Sequence, residues 1–158
     1  MKFADFICSN AIQPELVADD KEGVIEELVE SLIDAGEIKA DDKKSIVQAI
    51  LKREELGSTG IGRGIAVPHT KHPSVSNLVG AVAVSEEGIG FNSLDGENVQ
   101  VFFMLISPPD QPGDHLRALE NISRQLRDED FCMFLKQCRT NEDILQILEE
   151  ADNNQFVS

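Results

Sequence analysis

The sequence predicts an α/β fold, a single domain in which a small mixed β-sheet is flanked by helices. Three observations support this. Two segments with apolar residues at helical spacing come first, two apolar runs of strand length fill the middle, and further helical patterns follow. No Pro/Ser-rich linker or internal repeat divides the sequence, so residues 1–158 are expected to form one unit. With 41% hydrophobic and 27% charged residues, the chain can bury a full core and does not have a disordered composition.

Val24, Ile25, Leu28, Val29, Leu32 and Ile33 mark the first helix, and Gly36 sits where a C-terminal glycine would end it. Asp41 is the expected N-cap of a second helix through Ile46, Val47, Ala49, Ile50 and Leu51. Beyond it lies the glycine-rich stretch GSTGIGRGIAVPHTKHPS, which contains a short apolar piece. Val79–Val84 and Val99–Ile106 read as strands, and the second is apolar on both faces, as a central strand should be. SPPDQPGD must be a loop. His115, Leu119, Ile122 and Leu126 then form one stripe of a third helix. A short helix is expected over Phe131–Cys138, and Thr140 with Asp143 resembles a capping box that opens a last helix.

Charge narrows the function. The net charge of −15 repels phosphate backbones and anionic lipid, which argues against nucleic-acid partners. The longest apolar run, Val101–Ile106, is far too short for a membrane span, and the N-terminal residues have no signal-peptide pattern. Cys8, Cys132 and Cys138 form no CxxC pair and read as small hydrophobes in a reducing compartment, so a cytoplasmic location is expected. The charge is also uneven. Residues 15–42 are rich in Asp and Glu, whereas 43–72 carry Lys43, Lys44, Lys52, Arg53, Arg63 and Lys71 against Glu54 and Glu55. A cationic island in an anionic protein suits an anion.

The glycine loop fails two nucleotide fingerprints. GxGxxG from Gly60 would need glycine where Ile65 stands, and GxxxxGK[ST] from Gly57 would need lysine and Ser/Thr where Arg63 and Gly64 stand. A simpler role remains: the glycines can turn backbone N–H groups inward, and Ser58 and Thr59 add hydroxyls, which together could hold phosphoryl oxygens. Val67-Pro68-His69 closes the apolar piece beside this loop. A neutral imidazole, with an ordinary pKa of about 6.5, can attack phosphorus without first losing a proton. His115 falls near the start of its helix, where neutral imidazole is favoured and could donate to a phosphoryl oxygen. His72 makes an HxxH pair with His69, but no cysteine or carboxylate stands at zinc-ligand spacing, so no metal site is expected.

The stretch from Arg53 to His69, REELGSTGIGRGIAVPH, resembles the signature of IIA proteins of the bacterial phosphotransferase system, in the fructose/mannitol/nitrogen-regulatory class. The later PPDQPGDHLRALENISRQL extends the resemblance over essentially the whole chain. It implies a phospho-acceptor at His69, a partner histidine at His115, and an arginine at Arg53 that steadies the phosphoryl oxygens. Ser58 and Thr59 match the loop's hydroxyl positions. Many relatives have glycine where Thr70 follows His69, a departure that leaves the acceptor in place. The resemblance further implies an HPr-type phosphate donor, either a IIB domain or a regulated protein downstream, and no cofactor. No IIB or HPr sequence lies within these residues, which tilts the expectation toward a nitrogen-type regulator over a sugar-specific carrier or a non-catalytic adaptor.

Overall fold

A computed structural model describes residues 1–156; positions 157 and 158 of the expected unit lie outside the described residues. The elements in order are β1 (Ile7–Gln13), α1 (Lys21–Asp34), α2 (Lys43–Glu55), β2 (Gly60–Gly62), β3 (Ile65–Ala66), β4 (His69–Lys71), β5 (Val79–Ile89), β6 (Val99–Ser107), α3 (Pro112–Gln125), α4 (Glu129–Gln137) and α5 (Asn141–Asp152). The six strands form one mixed sheet of order β1-β5-β6-β3-β2, with β4 also paired to β6. β5 and β6 run antiparallel, while β1 is parallel to β5 and both β3 and β4 are parallel to β6. β6 therefore has partners on both edges, as its two apolar faces predict.

Alternation along β5 and β6 divides the core in two. Val82, Val84, Val101, Phe103 and Leu105 face Ile122, Phe131, Leu135, Ile144 and Leu148 of α3–α5. Ala81, Ala83, Phe102, Met104 and Ile106 face Val24, Ile25, Leu28, Leu32, Ile46 and Ile50 of α1 and α2. Burying both faces in this way is the main stabilising term for such a sheet. Gly36 ends α1 as expected: it has φ 81°, its N–H donates to Ile33 O at 2.9 Å, and Glu37 N–H donates to Leu32 O at 3.0 Å. Thr140 Oγ1 accepts from Asp143 N at 3.1 Å and caps α5.

Two expectations are corrected, and one strand is added. Asp41 does not cap α2; it lies inside a 3-10 turn, Ala40–Asp42, and the helix begins at Lys43 with no side-chain cap. The strand expected to end at Val84 continues to Ile89, after a register shift in its pairing with β6. The N-terminal residues, for which the sequence pattern predicts no element, supply edge strand β1.

Candidate functional site

The site forms where β4 lies against the C-terminal end of β6. Leu105 N donates to Pro68 O at 3.0 Å, and the register pairs His69 with Leu105 and Lys71 with Ser107. After Ser107 the chain turns through the proline-rich loop and re-enters as α3, with Pro112 in its first turn. This return places His115 beside His69, with ring centroids 5.3 Å apart and planes tilted by 57°.

Each ring is held by its Nδ1. His69 Nδ1 lies 2.7 Å from Val67 O. A carbonyl can only accept, so Nδ1 carries the proton and the neutral ring has its free lone pair on Nε2. His115 Nδ1 lies 2.6 Å from Ser107 Oγ. Among the described residues neither Nε2 has a hydrogen-bond partner, and neither is among the partnerless side-chain atoms sealed from solvent. Both therefore keep some contact with solvent and an unused bonding position.

Electrostatics keep both rings neutral. Burial pushes the His69 imidazolium below its ordinary value; the Val67 bond opposes this, the Arg53 charge adds to it, and Glu54 opposes it. His115 is lowered to about 4, first by burial and then by the charges of His69 and Lys71.

Arg53, near the end of α2, acts on His69 through its charge while its Nη1 donates to Gly57 O at 2.9 Å. The hydroxyls of Ser58 and Thr59, expected to face a phosphoryl group, instead serve the loop itself. Ser58 Oγ donates to Phe91 O at 2.7 Å and accepts from Gly60 N at 3.0 Å. Thr59 Oγ1 donates to Glu54, whose carboxylate also accepts from Thr59 N at 3.1 Å. The structure thus brings His69 and His115 together with Arg53 in electrostatic reach, and makes Ser58 and Thr59 braces of the loop.

Glu54 is the residue that sequence reasoning passed over. It is buried and pairs with Lys21 of α1 at 2.9 Å, and Lys21 in turn stands 4.6 Å from the centre of the Phe91 ring. Its only signal in the sequence is its place beside Arg53. His72 turns toward α2: its Nε2 lies 2.8 Å from Ser45 Oγ and its Nδ1 accepts from Ser74 N at 3.1 Å. Among the described residues no group of three or more His, Cys, Asp or Glu side chains could hold a metal. Cys132 and Cys138 are buried, and burial raises both thiols, Cys138 to about 11.

The family model for the phosphoenolpyruvate-dependent sugar phosphotransferase system, EIIA 2, matches residues 5–151. The chain belongs to that EIIA family. A nitrogen regulatory protein of Bradyrhizobium diazoefficiens is 34% identical over 94% of this chain and 95% of its own length. A fructose-specific EIIA component of Haloferax volcanii is 37% identical over 83% of this chain and 84% of its own. The chain spans 24% of the fructose-specific EIIABC component of Bacillus subtilis, at 35% identity. The crystal structure of nitrogen regulatory protein IIA-Ntr from Neisseria meningitidis superposes with a TM-score of 0.83 at 26% identity, covering 92% of this chain and 98% of that one. The EIIA fold is thus shared with both nitrogen-regulatory and sugar-specific relatives, and EIIA domains are phosphotransfer components. Among the described residues no helix is long and apolar enough to cross a membrane.

Proposed function

We propose that the chain acts as a phosphohistidine carrier that accepts a phosphoryl group on His69 Nε2 from an HPr-type phosphocarrier. One observation carries this reading: the Val67 bond holds the His69 proton on Nδ1 and leaves Nε2 bare beside a second histidine. The Nε2 lone pair forms a new N–P bond while the N–P bond of the donor's phosphohistidine breaks, and that electron pair returns to the donor ring. Nδ1–H stays on the Val67 carbonyl, which stabilises the charge the His69 ring acquires. His115 and Arg53 stabilise the oxygens of the transferring group. Ser58 and Thr59 shape the loop, and their hydroxyls reach those oxygens only by exchanging their present partners.

A nitrogen-type regulatory role is the preferred downstream reading, supported by the full-length match to a nitrogen regulatory protein. A sugar-specific role, with phosphate passing to a cysteine of a IIB partner, is supported by the fructose-specific relative. Incubation with phosphoenolpyruvate, enzyme I and HPr, followed by mapping of the modified residue, tests the carrier. Passage of the label to purified IIB would select the sugar-specific role; a persistent phospho-His69 that alters affinity for a regulated protein would select the regulatory one.

A further inference from the structure

Ser107 ends β6 and is fully buried, and its hydroxyl bonds to Nδ1 of His115 at 2.6 Å. Its position is fixed by the sheet: its carbonyl accepts from His72 N at 2.9 Å, and its Cα is in register with Lys71. Two arrangements satisfy the contact with His115. In one, the hydroxyl donates to the Nδ1 lone pair and the ring carries its proton on Nε2. In the other, Nδ1–H donates to the hydroxyl, whose own proton then needs a second acceptor. Among the described residues Ser107 Oγ has no such acceptor. A buried donor without a partner is a rarer and costlier defect than an oxygen with an unused lone pair, so the first arrangement prevails.

We propose that Ser107 is a positioning residue that fixes His115 in the Nε2–H tautomer, so that the ring beside His69 presents a donor to the transferred phosphoryl group. The proposal rests on the reading of His69 as acceptor. The backbone carbonyl of Val67 and the hydroxyl of Ser107 impose opposite tautomers on two rings 5.3 Å apart. One ring offers a lone pair to phosphorus, and the other an N–H to its oxygens. With the Nδ1–H tautomer on both, His115 would face the phosphoryl oxygens with a lone pair, which repels them.

Long-range 15N–1H correlation spectra of the imidazoles, recorded on the full unphosphorylated chain at neutral pH, distinguish the tautomers. The expected result is Nε2–H for His115 and Nδ1–H for His69. In Ser107→Ala the His115 ring should become a mixture, and phosphoryl transfer from phospho-HPr should slow about tenfold at unchanged KM for HPr, less than the loss of a whole donor. Ser107→Thr, which keeps the hydroxyl, should restore both. A His115 that carries Nδ1–H in the wild type overturns the proposal, and so does a Ser107→Ala protein with an unmoved tautomer and rate. The wild-type spectrum decides even where a variant fails to fold. Because it needs no phosphate, it stands apart from the carrier reading, which fails separately if label maps to a residue other than His69.

Discussion

A pair of histidines does its chemistry only if each has the right proton on the right nitrogen. At His69 a backbone carbonyl makes that choice, so no side-chain substitution nearby can easily undo it. His69→Ala should therefore abolish labelling by phospho-HPr with little loss of stability, since the ring is only partly buried at the end of a three-residue strand. Full labelling of that variant would remove His69 from the mechanism. His115→Ala should still be labelled, but on the order of 10²-fold more slowly, because a donor to the transferring group is gone. The lowered pKa of His115 has a further effect on stability. Above the unfolded-state value of about 6.5 both states are neutral and pH has no effect through this group. Between there and the folded value of about 4 the unfolded chain binds a proton that the native ring refuses, so stability falls as pH falls. The loss approaches about 3 kcal/mol. His115→Gln should lose less stability than wild type between pH 7 and pH 4 in urea titrations; parallel curves would show that the ring does not titrate as described.

The same residues act only because the elements hold them, and the loop after α2 is held by Glu54. Its carboxylate joins Lys21 of α1 to the amide and hydroxyl of Thr59, and Ser58 ties the loop to Phe91. Glu54→Ala should cost about 3 kcal/mol, because Lys21 and the Thr59 amide both lose a partner in a largely buried place. Denaturant unfolding measures this, and a change below about 1 kcal/mol would make the carboxylate dispensable. Glu54 also shows where sequence reading stops. Helices α1, α3 and α5 were legible because period and capping are local signals, and β6 was legible because a strand buried on both faces has to be apolar throughout. β2, β3 and β4 are two or three residues long, too short to show a period. β1 is half polar and was passed over as strand, since its place at the sheet edge depends on pairing with β5, which no local pattern reports. His69 and His115 stood out as candidates from residue type and setting, and Arg53 through the family resemblance. Glu54 and Ser107 were not, because their roles come from contacts set by tertiary register.

At the scale of the whole molecule, the proposed carrier role makes a prediction about how charge would steer a phosphate donor. The chain carries −15, yet His69 lies within a stretch of sequence that holds Lys43, Lys44, Lys52, Arg53, Arg63 and Lys71. Lys43 is matched by Glu30 at 2.9 Å, whereas the charge of Arg53 acts on His69 and that of Lys71 on His115. Exposed leucines stand close in the chain to the site residues: Leu56 after the helix of Arg53, and Leu116 next to His115. A donor that meets this surface should present a basic face for the acidic surround and an apolar centre for the leucines. The two contributions respond differently to salt. Attraction between charged faces accelerates encounter and is screened over about 8 Å at physiological ionic strength, whereas apolar contact is nearly indifferent to it. The association rate with phospho-HPr should therefore fall as salt rises, while transfer within the formed complex barely changes. Reversing acidic residues near the site should mimic high salt, and reversing distant ones such as Glu142 should not, because distant charges are already screened. Stopped-flow transfer across a salt series reads both terms; a rate that stays flat or rises with salt would leave docking to the leucines alone.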